Sequence, residues 1–459
     1  MSITAAAGAE LPAAYPPRRA VVAWIFFDWA AQPYFTLITT FVFAPYFATF
    51  VAATPAEGQS LWGFATAAAG LLIAAMSPVL GAVADASGRR KPWIAAFGAL
   101  LVLGSALMWV GRPGDPNVIV PVLIAYAIAT VGVEFATVFN NAMMPSLVPP
   151  DKIGRLSGTG WATGYIGGIL SLALVLGFLA ASPEGGRTLL GLAPLFGLDP
   201  AMHEGDRVTG PLTGLWFMVF ALPMFLLTPD FPARRPLRGA VREGLRELRQ
   251  TLRELPQRKS MAVFLLANMI YTDGLISLFA FGGIYAAGTF GWRTIQMGIF
   301  GILLALAGAV GAWLGGKLDD RLGSKRVIAG ALTILLLSSL AVLLVDRDSI
   351  LFFPVSPPEP GGALFASPAE KAYLVLGALI GMMGAPLQAG SRALLIRMAP
   401  PTRITQYFGL FALTGKVTSF VGPLLIGIVT AATASQKAGM GVIVALFLLG
   451  LALLARVRA

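Results

Sequence analysis

The chain has no cysteine and a single histidine among its 459 residues. Disulfide bonds and thiolate metal sites are therefore excluded, and His203, which falls in a loop, has no second histidine with which to hold zinc. Charged residues make up only 12% of the chain, against about 25% in an ordinary soluble domain. No phosphate-binding glycine loop is present, and no Ser/His/Asp set can be assembled. These absences argue against an enzyme and predict no metal and no cofactor.

Hydrophobic residues, in contrast, make up 57% of the chain. They form twelve runs, each close to the roughly 20 residues that a helix needs to cross a bilayer. The predicted runs are 20–50, 61–83, 92–111, 118–140, 156–181, 212–228, 261–288, 293–316, 327–345, 372–397, 404–432 and 438–456. The pattern predicts an all-α integral membrane protein with twelve transmembrane helices.

Basic residues give the chain a formal charge of +11. On a soluble protein this excess would suggest a nucleic-acid partner, but here most Lys and Arg residues fall in every second connection between runs. The positive-inside rule then places both termini in the cytoplasm. Arg18 and Arg19 directly precede the first run, and no basic region comes before them, so we expect the first helix to remain as an anchor. Richness in alanine, glycine and arginine favours a bacterial inner membrane.

A short polar segment occurs twice, about half a chain apart. Both copies read G-x-x-x-D-x-x-G followed by basic residues, and each lies between two apolar runs. The motif positions are Gly81, Asp85, Gly88, Arg89 and Arg90 in the first copy, and Gly316, Asp320, Gly323, Lys325 and Arg326 in the second. Such a repeat predicts two similar halves. We expect an N-terminal tail at 1–19, six-helix bundles at 20–228 and 261–456, a linker at 229–260 and a C-terminal tail at 457–459.

The linker turns helical in pattern after its prolines. Apolar residues recur at intervals of three or four from Val241 to Leu255, and arginines from Arg238 to Arg253 form a second stripe beside them. A helix of this kind is typical of membrane surfaces, where arginines meet anionic lipid phosphates. We expect anionic lipids at residues 238–258, with nucleic-acid binding as the alternative.

Ionisable residues within the apolar runs are costly and indicate either a wet cavity or a buried ion pair that fixes packing. Polar residues at helical spacing beside them favour the cavity. The candidate cavity residues are Asp28, Gln32, Glu134, Asn141, Asp273, Gln388, Arg392 and Lys416.

With its repeated loop motif and twelve runs, nearly the whole chain resembles the major facilitator superfamily. The resemblance implies two six-helix bundles around a central cavity lined by helices 1, 4, 7 and 10. Asp28, Glu134, Asp273 and Arg392 fall on these four helices. It also implies that the motif aspartates clip the halves together in one state. Asp85 and Asp320 would accept hydrogen bonds at a helix N-terminus, or pair with Arg89 and Lys325. The alternative is that these loops only set orientation.

Three stretches resemble the vacuole-effluxer-like, autophagy-related family more narrowly: 27–30, 155–168 and 388–416. The chain departs from that family at Ala31-Gln32-Pro33, where many members have Asn-Ser-Ala. Fungal members resemble exporters of amino acids from the vacuole.

Together these observations predict a secondary active transporter that works by alternating access. Its expected partners are a small polar or zwitterionic solute, such as an amino acid, and protons. Burial favours the protonated form of a carboxylate, so Asp28, Glu134 or Asp273 would carry the proton, and Lys416 and Arg392 would balance them or hold a substrate carboxylate. Sodium is the alternative coupling ion. A multidrug exporter and a non-transporting membrane sensor or assembly factor are the competing functions. We expect a monomer.

Overall fold

A computed structural model describes residues 15–181, 185–232, 236–292, 294–357, 364–419 and 421–458. Within these ranges, eleven helical segments are long and apolar enough to cross a membrane, and a shorter apolar helix covers Val421–Thr430. The main helices are α1 (Arg18–Pro33), α2 (Pro55–Ser87), α3 (Lys91–Leu107), α4 (Ile119–Asn141), α5 (Ile153–Leu174), α6 (Thr209–Leu227), α7 (Leu237–Glu254), α8 (Lys259–Phe290), α9 (Thr294–Leu322), α10 (Ser324–Leu343), α11 (Pro368–Met398), α12 (Ile404–Val417), α13 (Val421–Thr433) and α14 (Gln436–Ala455).

The chain divides into two compact units. The first comprises Met1–Pro149, Thr163–Leu248 and Pro401–Gly409, and the second comprises Pro150–Ala162, Arg249–Pro400 and Leu410–Ala459. The start of α5 therefore belongs to the second unit, and the start of α12 belongs to the first. Each unit thus includes one helix start that comes from the other half of the sequence.

In the first unit, α1 packs against α6 through aromatic rings. The ring centroids of Phe27 and Phe217 lie 5.7 Å apart edge-on, and those of Trp29 and Trp216 stack at 5.9 Å. Such pairs add to the stability gained by burying apolar surface. Two aromatic residues of α1, Trp24 and Phe27, are fully buried and therefore serve packing.

The first predicted run is not one regular helix. Pro33 ends α1, and a π-helical segment, Tyr34–Phe41, follows it. Proline has no N–H to give to the carbonyl four residues earlier, which is that of Trp29. The indole N–H of Trp216 donates to this carbonyl instead, at 3.2 Å. The chain continues through a short helix, Phe43–Tyr46, and a second π segment, Phe47–Val51.

In the second unit, the predicted run 404–432 is divided into α12 and α13, with turn residues at 418 and 419. The polar loop 346–371 also contains structure. Strands β1 (Ser349–Ile350) and β2 (Phe353–Pro354) pair antiparallel in a small hairpin. Its turn residues Leu351 and Phe352 both have positive φ, of 49° and 74°. The described part of this loop therefore contains a short hairpin.

Candidate functional site

The first loop motif ends α2 with a buried carboxylate. Asp85 accepts hydrogen bonds from the backbone N–H groups of Thr405 at 3.2 Å and Gln406 at 2.7 Å, both in the first turn of α12. The first N–H groups of a helix have no partner within it, and its dipole favours a negative charge there. Asp85 therefore caps α12, a segment more than 300 residues away in sequence.

Arg90 is the basic partner of Asp85. The two side chains form an ion pair, and Arg90 also donates to the carbonyls of Ala84 at 2.6 Å and Gly88 at 2.7 Å. Its donors are thus directed into the turn that carries the motif. Arg89, the partner named from the sequence, is exposed instead. Of the two alternatives drawn from the sequence, hydrogen bonding at a helix N-terminus is confirmed, whereas pairing with Arg89 is wrong by one residue, because the turn directs Arg90 inward.

The second motif makes an equivalent contact in the second unit. Asp320 accepts a hydrogen bond from the backbone N–H of Arg155 at 3.0 Å, in the first turn of α5. The Arg155 side chain lies 3.4 Å from the same carboxylate. Both capped helices follow a double proline, Pro149-Pro150 or Pro400-Pro401. The two motifs therefore use the same device: a carboxylate at the end of one helix holds the start of another.

The glycines of the motif have separate physical roles. A Cβ at Gly81 would lie 2.5 Å from the carbonyl oxygen of Thr405, and one at Gly316 would lie 2.8 Å from that of Gly154. These glycines permit the close approach of the capped helix. Gly88 and Gly323 instead have φ values of 91° and 86°, which disfavour any side chain. The spacing G-x-x-x-D-x-x-G thus combines an approach point, a cap and a turn.

The basic residue Lys325 does not bind Asp320, contrary to the expectation from the sequence. Its ammonium donates to the carbonyls of Ala455 at 3.2 Å and Val457 at 2.6 Å, at the C-terminal end of α14. A cation is favoured at that end of a helix dipole. Arg326 is exposed.

Several residues of these sites were missed by sequence reasoning. Asp319 is buried and forms an ion pair with Arg397, which also contacts Ser324. Asp230 accepts from the backbone N–H groups of Arg90 at 2.8 Å and Lys91 at 3.2 Å, and so caps α3. The adjacent acids at 319 and 320 were the available signal for the first pair. Asp230 lies in a proline-rich connection and carried no signal of its own.

Among the predicted cavity residues of the first unit, Asp28 and Glu134 lie between two contacts that join α1 and the π segment after it to α4. The indole of Trp24 donates to the Asn140 carbonyl at 2.9 Å, and the hydroxyls of Tyr34 and Thr130 lie 2.6 Å apart. The helices therefore run antiparallel, and a rise of about 1.5 Å per residue places positions 28 and 134 at nearly the same level. Both residues are partly exposed, as is Asn141.

Gln32 faces the glycine-rich part of α5 that belongs to the first unit. A Cβ at Gly164 would lie 3.4 Å from the Gln32 amide oxygen, and one at Gly168 would lie 2.8 Å from its Cγ. A Cβ at Gly167 would likewise lie 3.0 Å from the Trp29 carbonyl oxygen. The glycines of this helix thus allow α1 and α5 to pack closely around a polar side chain.

In the second unit, Asp273 lies within α8 and is 3% exposed. Its Oδ1 atom has no hydrogen-bond partner within the described residues, and the same holds for the hydroxyl of Ser277, one turn along. Gly422 of α13 covers this pair: a Cβ there would lie 3.0 Å from the Asp273 carbonyl oxygen. Two unpartnered oxygens buried in a spanning helix form a polar site beside the break between α12 and α13.

Arg392, also in the second unit, is 5% exposed. Its Nε donates to the Ser157 hydroxyl at 2.8 Å and one terminal nitrogen donates to the Ser157 carbonyl at 2.7 Å. Gln388, one turn earlier, is partly exposed and donates to the Gly384 carbonyl of its own helix at 3.3 Å. The Lys416 side chain lies outside the described residues. The structure therefore gives Arg392 a contact that fastens α11 to the start of α5.

His203 lies in the connection before α6, where its Nδ1 is 2.9 Å from an oxygen of Asp206 and its ring packs on Phe50 with centroids 3.9 Å apart. The part of the chain that the structure describes holds no group of three or more His, Cys, Asp or Glu residues suited to a metal.

The arrangement of the helices is similar to that of solved transporters. The outward-conformation structure of the major facilitator superfamily transporter FucP superimposes with a TM-score of 0.70 over 96% of this chain and 99% of that one, at 14% identity. The human organic anion transporter MFSD10 gives 0.69 over 96% and 100%, at 15% identity. These likenesses show the fold: the helices are arranged as in transporters of the major facilitator superfamily.

Sequence comparison gives the family. The chain belongs to the family described as vacuole effluxer Atg22 like, whose sequence profile matches residues 49–459. The uncharacterized MFS-type transporter YxiO of Bacillus subtilis is 22% identical over 439 residues, covering 94% of this chain and 93% of YxiO. Autophagy-related protein 22 of Cryptococcus neoformans is 26% identical over 318 residues, covering 66% of this chain and half of the fungal protein. The membrane fold and the family predicted from the sequence are confirmed, and the protein is a transporter of this type.

Proposed function

We propose that this transporter moves a small polar or zwitterionic solute, such as an amino acid, by proton-coupled alternating access. We place it in a bacterial inner membrane, acting as a monomer. The observation that carries the coupling proposal is Asp273, a carboxylate buried in a spanning helix with an oxygen that lacks a partner within the described residues. A carboxylate with an unpartnered oxygen in such surroundings is stabilised when it binds a proton or another cation. The hydroxyl of Ser277 supplies a second oxygen at the same place.

Asp28 and Glu134 extend the proposal to the first unit, where they lie at nearly one level of α1 and α4. Acidic groups in both halves suit a solute that carries a positive amino group. The family description, vacuole effluxer, supports transport of a solute, and FucP, which has the same fold, is a fucose:proton symporter, which supports coupling to protons.

Alternating access needs contacts that form in one state and break in another. We propose that the caps made by Asp85 on α12 and Asp320 on α5 are these contacts. Each depends on a few hydrogen bonds at a helix start, so its release costs only a few kcal/mol. The two caps are made by aspartates at corresponding positions of the repeated motif, and both would take part in the transport cycle. The bundle boundaries 20–228 and 261–456 remain part of this proposal. The first residues of α5 belong to the second compact unit, and those of α12 belong to the first.

The direct test is uptake by purified protein in proteoliposomes, with a pool of radiolabelled amino acids. We expect counterflow, and accumulation driven by a pH gradient that collapses with a protonophore. Accumulation that survives the protonophore and follows a sodium gradient would replace the proton by sodium. Absence of flux above empty vesicles, from protein shown to be folded, would overturn the amino-acid proposal and favour other solutes or a non-transport role.

A further inference from the structure

The linker helix α7 divides into distinct faces. Its first face is buried: Ala240 and Gly244 pack on the end of α2, where a Cβ at Gly244 would lie 2.8 Å from the backbone of Ala82 and Val83. Ala240 belongs to an apolar cluster with Val83 and Ala86. Since α2 is a spanning helix that ends at Ser87, this contact holds α7 beside the end of a membrane span.

A second face is apolar but exposed. Val241, Leu245 and Leu252 are 41%, 46% and 49% exposed, although each recurs at helical spacing as a buried stripe would. At about 100° per residue, this stripe lies next to the buried face rather than opposite it. The helix therefore presents apolar side chains beside its contact with α2, and no described residue covers them.

A third face, on the far side of the apolar stripe, is basic. Arg242, Arg246, Arg249 and Arg253 are all exposed. The acidic residues of the helix lie farther round: Glu243 and Glu247 are only partly exposed, and Glu243 pairs with Arg246. The arginines thus border the exposed apolar stripe directly, while the acids lie away from it.

From this order of faces we infer that α7 is an interfacial helix that binds anionic phospholipid. Its apolar stripe enters the boundary between headgroups and acyl chains, and its arginines bind the lipid phosphates. A soluble protein partner would match the apolar stripe but not the position of α7 beside the end of a span. The inference is independent of the transported solute, because none of these residues belongs to the proposed coupling sites.

The absence of cysteine allows a direct test on the full-length protein, because a single introduced cysteine can be labelled without background. We would label Leu245→Cys with an environment-sensitive fluorophore and reconstitute the protein into phosphatidylcholine vesicles, with or without phosphatidylglycerol. The matched control is Gln250→Cys, which is exposed on the opposite side of the same helix. Acrylamide serves as the aqueous quencher, since it is uncharged and is not repelled by anionic lipid.

We expect the Leu245 label to shift to shorter wavelength and to become severalfold less accessible to acrylamide when phosphatidylglycerol is present. The Gln250 label should remain in water. Combining the label with Arg242→Gln, Arg246→Gln and Arg249→Gln should remove the lipid response, and high salt should weaken it. Equal quenching of the two labels in both lipids would overturn the inference. So would a response to an added RNA oligonucleotide but not to phosphatidylglycerol, which would identify α7 as a nucleic-acid surface.

Discussion

The carboxylate of Asp85 accepts the backbone N–H of Gln406 at 2.7 Å, and this bond joins the end of α2 to the start of α12. The corresponding residues of the second copy, Asp320 and Arg155, form the same bond at 3.0 Å. A repeated motif is therefore accompanied by a repeated contact. Because an aspartate cap is charged and an asparagine cap is not, the pair gives a direct test of the proposed switch.

We predict that Asp85→Asn leaves the protein folded but slows the turnover of its transport cycle. The amide keeps the shape of the side chain, while the charge that holds Arg90 and the helix N-terminus is lost. Hydrogen bonds to a charged group are worth about 1.5–3 kcal/mol, so turnover should change by about tenfold or more. Single-turnover and steady-state flux would be measured, with Asp320→Asn as the equivalent change. Normal flux from correctly inserted Asp85→Asn protein would refute the switch.

Asp273→Asn should abolish accumulation driven by a pH gradient while leaving counterflow in place, because exchange of solute needs no net proton movement. Asp28→Asn and Glu134→Gln report whether the first unit shares this role. The measurement is uptake against counterflow in the same proteoliposomes. Full pH-driven uptake by Asp273→Asn would remove the proposed carrier, and loss of both activities would indicate a folding defect, to be checked by thermal unfolding.

Arg392→Gln should destabilise the protein without changing the apparent affinity for the solute. The guanidinium is buried and donates twice to Ser157, so its loss should cost about 1.5–3 kcal/mol of unfolding free energy. Gln388→Ala, one turn away, is the control and should have little effect on stability. A large rise in KM for Arg392→Gln with unchanged stability would show instead that the arginine binds the solute.

Gly81→Ala should be destabilising by about 1–3 kcal/mol, because the new methyl group would overlap the Thr405 carbonyl. Gly70→Ala in the same helix is the matched control, since nothing beyond its own turn of the helix lies within 4 Å of its added Cβ. That change should be neutral or stabilising, as alanine has the higher helix propensity. Thermal unfolding of both variants decides the matter, and equal stability would show that α12 does not approach α2 as closely as described.

Trp216→Phe should cost about 0.5–1.5 kcal/mol in the natural sequence, through loss of its bond to the Trp29 carbonyl. The same change should cost less in a Pro33→Ala background, because alanine restores an N–H that can occupy this carbonyl. A double-mutant cycle measures the coupling between the two positions. Additive effects would mean that the indole does not compensate for the proline.

Local pattern predicted much of the architecture. The positions of most helices were predicted from the apolar runs, the double prolines and the helical period of residues 237–254. Hydropathy and helical spacing depend only on near neighbours in the sequence. The pattern could not show that a π segment follows Pro33 or that the run 404–432 divides into α12 and α13, because the geometry of the chain at these points depends on packing.

The sequence predicted the type of interaction that the candidate site residues make, but not the residues with which they interact. Asp85 was expected to cap a helix or to bind Arg89, and it caps α12 while binding Arg90. Arg392 was expected to face a cavity, and it binds Ser157. A charge within an apolar run indicates that a partner exists, but it carries no information on which partner.

The sequence by itself determined that this is a twofold-repeated membrane protein, because burial of apolar helices in a bilayer and the repeat of a polar loop are properties of composition and order. Only the tertiary structure decided which residues meet. Asp85 and Gln406 are separated by most of the chain, and their contact exists because Gly81 lets two helices approach until a carboxylate reaches the free N–H groups of a helix start. That distance is set by packing, which no local pattern records.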